Sequence, residues 1–278
     1  MIRIMSNNQW YCDDNLPAWE KLGYDCSVQN RAPGFARVFD EIAPDLIGLQ
    51  ECSAKMAEEH MMHFQSKGLP YALLWGHDTP IVYRSDKFEI IECESFVYSE
   101  SVPGFTGSFN NSKTKSYCLA VLREKITETL LIFATTHLWW KTEDKSSCNY
   151  QAGSDSARKY QLNLLMDKVD TLIEKYGCAA MIVGDLNATE DSPALTSAFE
   201  RGYLHARNLA TDFSDSGHGM HYCYADGFRP YEPLSPEHAI DHVLVKNPCG
   251  MRISRFVRYN EEYYMTLSDH LPVYVDIF

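Results

Sequence analysis

Short apolar runs broken by sudden polar turns recur along the chain, and they predict strands mixed with helices that bury one face. MIRIM (1–5) reads as a first strand. From Gly34 to Ile42 the apolar residues Phe35, Val38, Phe39 and Ile42 share one helical face, and Pro44 ends that helix. Leu46–Leu49 is a short buried strand running into Gln50 and Glu51. Further strands are expected at Ile81–Tyr83, Phe88–Tyr98, Tyr117–Leu122 and Leu130–Thr136, the last two joined as a hairpin by the turn from Arg123 to Thr129. A helix over Ser156–Tyr176 buries Ala157, Leu164, Leu165, Val169 and Leu172 and stops at Gly177. Strand 179–183 is followed at once by Gly184, Asp185 and Asn187. Ser192 reads as an N-cap with Pro193 at the first helical position and Gly202 beyond the end. The last strands fall at Ile240–Val245 and Leu271–Ile277.

Strands therefore dominate, which predicts a sheet-on-sheet core flanked by helices. There is no internal repeat or low-complexity linker, so residues 1–278 are expected to form a single domain. The polar stretches 99–116, 138–156 and 205–239 are longer than structural connections usually are, and such loops commonly carry substrate contacts.

Composition narrows the options. The chain is 45% hydrophobic and 23% charged, ordinary for a globular protein. No apolar stretch approaches the roughly 18–20 residues that span a membrane. MIRIMSNNQW has no basic region leading into an apolar one, so no signal peptide is expected. Nine cysteines without a CxxC pair point to free thiols, and with them to the cytoplasm. The net charge of −13 disfavours a nucleic-acid backbone as partner, and no Lys/Arg run supplies a phosphate-tracking stripe. A small phosphate-bearing substrate stays open, especially with a divalent cation in the pocket.

The polar residues concentrate where strands begin or end. Ser6 and Asn7 follow the first strand, and Gln50 and Glu51 follow LIGL. His137 closes LLIFATT, while Asp185 and Asn187 follow MIVG. Asp241 opens a strand, and Ser268, Asp269 and His270 precede the last one. Each has an ordinary reading as a turn residue, a cap or an Asx-turn. Six such groups at strand ends point instead to one site. A hard cation such as Mg²⁺ needs only one or two carboxylates with an amide, which Glu51 and Asn7 supply. Asp185 is placed to orient or deprotonate a water, with Asn187 on the same side able to donate to a phosphate. His270 paired with Asp241 or Asp269 provides charge stabilisation.

The set Asn7, LQE (49–51), TTHL (135–138), GDLNA (184–188), IDHVLV (240–245) and SDHLPV (268–273) resembles the endonuclease/exonuclease/phosphatase superfamily in order and interval, from residue 1 to 278. That resemblance implies a four-layered α/β/β/α sandwich, two packed mixed β-sheets flanked by helices, with the site at one edge. Glu51 would be the principal Mg²⁺ ligand, with Mn²⁺ as the alternative ion and either one or two ions bound. Asn7 would lie in or beside the metal shell, and Asp269 close enough to influence it. Asp185 would activate water, Asn187 would bind the scissile phosphate, and His270, oriented by Asp241, would bind it too. His137 matches a branch with a second phosphate-binding histidine. Arg158 and Gln161 resemble a further feature that supports the site.

Three features favour a small, carbohydrate-like or lipid-headgroup phosphoester, with a phosphodiester preferred: the negative charge, the few basic residues near the mouth (Lys113, Lys115, Lys141, Arg158) and the aromatic loops. Arg158, Trp139 and Tyr222 are the expected substrate contacts, with Trp140, Tyr224, Phe228 and Tyr231 as further stacking candidates. A DNA-repair or RNA-trimming nuclease is the alternative, since THLWW (136–140) resembles a segment of poly(A)-removing relatives. A non-catalytic phosphate-binding scaffold would have no need of Glu51, Asp185 and His270, all of which are present.

Overall fold

The apolar runs become the strands of two packed sheets in the computed structural model. It describes residues 1–215, 221–224, 227–230, 236–247 and 250–278, with the backbone alone at 221–224, 227–230 and 236. In chain order the strands are β1 (Ile2–Asn8), β2 (Leu46–Gln50), β3 (Tyr71–Leu74), β4 (Ile81–Arg84), β5 (Phe88–Val97), β6 (Ser116–Glu124), β7 (Leu130–His137) and β8 (Ala179–Asp185). They continue as β9 (Leu204–His205), β10 (Asp212–Ser214), β11 (His221–Tyr224), β12 (Gly227–Pro230), β13 (Asp241–Lys246), β14 (Ile253–Arg258) and β15 (Val273–Ile277). The helices are α1 (Pro17–Glu20), α2 (Val28–Ile42), α3 (Ala54–Ser66), α4 (Ser154–Tyr176), α5 (Pro193–Glu200) and α6 (Ala206–Leu209).

One mixed sheet has the order β10-β14-β15-β1-β2-β4-β3 and the other β5-β6-β7-β8-β13-β9, while β11 and β12 form a separate hairpin. Four layers follow from where the apolar side chains go. Phe35, Phe39, Met56 and Phe64 of α2 and α3 pack on Met5, Ile47 and Leu49 of the first sheet. Ile4, Leu46, Val273 and Val275 meet Ala120, Phe133, Val183 and Val243 between the sheets. Leu162, Leu165 and Val169 of α4, with Leu195 and Ala198 of α5, cover Leu119, Ile132 and Ile182 on the far side. The central strands are thus buried on both faces, which is why they read as continuous apolar runs rather than alternating ones. The expected α/β/β/α sandwich is the observed one.

The sheets come closest near their polar edge. A Cβ on Gly48 would lie 2.5 Å from Val183 and 2.7 Å from Thr135. Just beyond, Gln50 donates through Nε2 to Thr135 Oγ1 at 2.8 Å, and Thr135 Oγ1 reaches the Leu49 carbonyl at 3.2 Å. Gln50 of LQE and Thr135 of TTHL therefore rivet the two sheets together rather than face solvent.

Several boundaries differ from the sequence reading for identifiable reasons. α2 begins at Val28, not Gly34, and so carries Pro33 inside it, where the missing N–H removes one rung of the i→i−4 ladder. It ends at Ala43 in the left-handed region, directly before Pro44. β8 runs through Asp185, so the carboxylate stands on the final residue of the strand rather than on a turn after it. α3 and β14 were not anticipated. α3 is capped by Ser53, whose Oγ accepts from Met56 N at 3.1 Å. The stretch 205–239, read as loop, contains β9 to β12 and α6 in part.

Gly184 has φ 150°, and a Cβ there would come 2.0 Å from the Thr136 carbonyl oxygen. We expect Gly184→Ala to destabilise the fold by about 3 kcal/mol, because the clash is with backbone that cannot rotate away. Urea unfolding checks this, and a midpoint equal to the parent's would refute the close-approach account.

Candidate active site

Strand register assembles the centre of the site. In the β7–β8 pairing His137 is opposite Asp185, and in the β8–β13 pairing Asp185 is opposite Asp241. Three polar residues from distant segments thus form one row at the sheet edge. His137 Nε2 lies 3.3 Å from Asp185 Oδ2. Asn187, in the left-handed region at φ 48°, turns back so that its N–H donates to Asp185 Oδ1 at 2.8 Å. Its Nδ2 donates to Asp185 Oδ2 at 3.2 Å and to the Leu138 carbonyl at 3.1 Å.

The first sheet contributes Glu51 and Asn8. Glu51, at φ 52° just past β2, accepts from Tyr11 N at 2.9 Å through Oε2. Asn8 Nδ2 donates both to Glu51 Oε1 at 3.3 Å and to Asp185 Oδ2 at 3.0 Å, so the two carboxylates converge on one amide. The expectation for Asn7 is corrected by this geometry. Asn7 points to the helix side of the sheet, where its Oδ1 accepts from Tyr264 Oη at 3.2 Å. Successive strand residues face opposite ways, so only Asn8 shares the inner face with Ile4 and Ser6.

The SDH segment closes the ring. Ser268 Oγ donates to the Asn8 carbonyl at 2.8 Å and accepts from His270 N at 3.2 Å, tying the segment to the end of β1. His270 Nδ1 lies 2.8 Å from Asp241 Oδ2, while Nε2 is 3.7 Å from Asp185 and 3.9 Å from Asp269. Burial alone would lower the His270 pKa, but Asp241, Asp185 and Asp269 outweigh it and raise the group well above its ordinary value. Burial would likewise raise Asp185, yet His270 and His137 hold its carboxyl below the usual range. Asp269 goes the other way, pushed up to about 7 by burial against the opposing charge of His270.

Of these groups Glu51, His137, Asp185, Asn187, Asp269 and His270 line a cavity of about 640 Å³, together with residues such as Trp10, Tyr11, Asp78, Ser112, Lys115 and Trp140. Sequence reasoning did not select Asn8 or Asp78, and it named Lys115 only among the few basic residues near the mouth. Burial lifts Asp78 to about 6 and lowers the Lys115 ammonium, the latter opposed by Glu51, Asp185 and Asp78. A second cavity of about 540 Å³, lined by residues such as Ile2, Leu131 and Ala179, opens at the opposite ends of β1, β7 and β8 and gathers none of the predicted groups.

Two of the expected substrate contacts are displaced. Arg158 is buried, donating from Nη1 to the Trp139 carbonyl at 3.1 Å and also to that of Lys141, with Asp155 at Nη2. Gln161 completes the brace, accepting from Trp139 N at 2.8 Å and donating to the Phe109 carbonyl at 3.2 Å. Both hold the loop after β7 from behind. Trp139 is 1% exposed and packs with Val102, Phe109 and Ala157, so it is core, whereas Trp140, 44% exposed, lines the cavity. The side chains of Tyr222, Tyr224 and Phe228, and all of Tyr231, lie outside the described residues.

The donor set fits a hard divalent ion. Glu51, His137 and Asp185 offer ligand atoms within 4.8 Å of one another, as do Asp185, Asp241 and His270. The second trio is already internally paired through the His270–Asp241 bond. Around the first, the carboxylate oxygens of Glu51 and Asp185 converge, and buried Asp269 Oδ1 has no hydrogen-bond partner. A donor set dominated by carboxylate oxygens, one of them unpartnered, suits Mg²⁺-like ions better than soft metals.

A family model described as the Endonuclease/Exonuclease/phosphatase family matches residues 22–270. The chain belongs to that family. With the carboxylate and histidine cluster in place, its activity is that of a metal-dependent phosphoester hydrolase. No curated protein matches the sequence. Among solved structures, it is similar to a mannosyl-6-phosphatase of Bacteroides thetaiotaomicron VPI-5482, at 19% identity and a TM-score of 0.73, covering 100% of both chains. It is also similar to the human Nocturnin catalytic domain with bound sulfate, at 14% identity and TM-score 0.67, covering 100% of this chain and 94% of that one. TDP2 of D. rerio complexed with a single-stranded DNA product shares the fold at 14% identity and TM-score 0.63, covering 100% and 98% of the two chains. No helix among the described residues is long and apolar enough to cross a membrane.

The correction at β1 is directly testable. Asn8→Ala should lower phosphoester turnover about 10- to 100-fold, as loss of a group that orients metal ligands does. Asn7→Ala should cost stability through the orphaned Tyr264 hydroxyl while leaving turnover within about threefold. Equal losses of turnover would return Asn7 to the site.

Proposed function

We propose that the chain hydrolyses the phosphoester of a small, carbohydrate-like substrate with the help of Mg²⁺, Mn²⁺ being the alternative ion. The convergence on one cavity of Glu51, Asp185 and His270, the last backed by Asp241, carries this reading. Glu51 would hold the ion with Asp185 and Asp269 nearby, and when bound it supplies Lewis-acid polarisation of a phosphoryl oxygen.

The remaining work falls to the side chains. Asp185 stays ionised because His270 and His137 flank it, so it orients the attacking water and takes its proton as attack proceeds. A carboxylate held that low is a weak base, which makes positioning its larger contribution. Asn187 fixes Asp185 through two bonds, and reaching a phosphate requires it to exchange one of its Nδ2 bonds. His270, kept protonated by Asp241, presents Nε2 to the cavity and stabilises charge developing on the phosphoryl group.

Substrate class follows from the rim. Ser112, Thr142, Ser147 and Asn149 offer neutral hydrogen-bonding groups beside Trp10 and Trp140, a combination suited to sugar hydroxyls and an apolar sugar face. The acidic chain, at −13, disfavours a long polyanion. A resemblance in fold to a mannosyl-6-phosphatase agrees with this choice.

Asp185→Asn should keep the fold and lose about 10³-fold or more in turnover of p-nitrophenyl esters. Near-parental turnover would remove Asp185 from the mechanism. Glu51→Gln should shift the Mg²⁺ titration of activity to higher concentration, and an unchanged titration would take Glu51 out of the ion's shell. A panel of hexose phosphates beside a fluorescent DNA strand, each with Mg²⁺ and with EDTA, tests the substrate class. Metal-dependent cleavage of the DNA alone would replace the sugar reading with a nuclease.

A further inference from the structure

Lys115 stands in the cavity without a part in the machinery described so far. It is 5% exposed, and its ammonium meets the His137 imidazole, 3.2 Å from Nδ1 and closer to Nε2. No carboxylate oxygen of the described residues lies within ion-pairing distance of Nζ, although Glu51, Asp78, Asp185 and Asp269 line the same cavity. An ammonium carries three donors, and the His137 ring offers at most one acceptor nitrogen, so the others call for a further partner.

The fold nonetheless holds Lys115 there firmly. Asn110, wholly buried, donates from Nδ2 to the Tyr98 carbonyl at 2.7 Å and to the Lys115 carbonyl at 2.8 Å. Its Oδ1 accepts from Lys115 N at 2.9 Å, and Tyr98 N donates to the Lys115 carbonyl at 2.9 Å. Lys113 adopts the left-handed region at φ 57°, completing a turn whose Ser112 and Thr114 also line the cavity. Both backbone polar groups of Lys115 are therefore pinned, and its side chain is delivered inward immediately before β6.

We propose that Lys115 anchors the terminal oxygens of the substrate phosphate and makes the site select phosphomonoesters over phosphodiesters, an inference that rests on the phosphoester-hydrolase reading above. Three features of the cavity match three unesterified oxygens: the Glu51 side, His270 Nε2, and Lys115 with His137. In a diester one of those oxygens is esterified and uncharged, so one position goes unmatched. A monoester also carries about −1.5 to −2 charge near neutrality, against a single charge on a diester. Contacts between an ionised donor and an oxyanion in a water-poor site are the strong ones, so the extra charge is felt most where Lys115 is desolvated. The conclusion departs from the diester preference expected from sequence, because a buried, carboxylate-free ammonium is not visible in composition.

The test compares the parent with Lys115→Met, which keeps an unbranched side chain one atom shorter and removes its charge. Turnover of p-nitrophenyl phosphate and bis-p-nitrophenyl phosphate is measured with Mg²⁺, alongside calorimetric binding of inorganic phosphate. The parent should favour the monoester, and Lys115→Met should lower kcat/KM for it about 100-fold while changing the diester less than about fivefold. Phosphate affinity should fall about tenfold or more. If the Met variant does not fold, Lys115→Gln gives the same comparison. A parent that prefers the diester, an equal loss on both esters, or undiminished phosphate affinity overturns the assignment. Absence of metal-dependent cleavage of either ester by the parent would instead defeat the hydrolase reading, while phosphate binding still decides whether Lys115 holds the anion.

Discussion

The pairing of β7, β8 and β13 is the constraint on which the site depends. Asp185 is useful only because the register sets His137 on one side of it and Asp241 on the other. Side chains alternate along a strand, so a slip of one residue would turn the whole row toward the opposite face. Apolar neighbours guard against that slip: Val183 faces the inter-sheet core and Ile182 the α4 layer, and neither face tolerates a carboxylate. Gly184 lets β8 approach β7 where the row forms, and the Gln50–Thr135 bond keeps the first sheet, with Asn8 and Glu51, at a fixed distance from the second.

Within that frame, environment divides similar groups into different roles. Asp185 is a buried carboxylate and Asp269 a partly buried one, and both line the same cavity. Asp185 lies between two histidines and stays ionised, whereas burial outweighs the single opposing histidine, His270, at Asp269 and pushes that group up to about 7. A site that separates its acids in this way assigns chemistry by surroundings rather than by residue type. The left-handed backbone of Glu51 and Asn187 adds a further investment, since such conformations cost on the order of 1–3 kcal/mol each unless the surroundings impose them.

Strand ends were legible because an apolar run that stops abruptly leaves its next polar residue in a predictable place. Glu51, His137, Asp185, Asp241 and His270 were all found by that signal, and the structure brings them together. Asn8 was missed for a reason built into the fold. β1 is buried on both faces, so Ile4 and Met5 are equally apolar and the alternation that would choose between Asn7 and Asn8 is silent. Trp139 and Arg158 misled because residue type does not reveal direction: an aromatic beside a catalytic histidine can fill the core, and a cation can spend its donors on carbonyls. Lys115 lay in a stretch with no periodicity, and only the Asn110 bonds show where it points.

The brace behind the β7 loop has an evolutionary consequence. Arg158 and Gln161 grip the backbone of residues 139 and 141, not their side chains. Trp140 and Thr142, which face the cavity, can therefore change identity without disturbing the support beneath them. The hydrolytic floor, by contrast, is locked into strand register. Divergence in such a lineage would proceed by rewriting the rim over a constant reaction, so that descendants differ in what they cleave long before they differ in how.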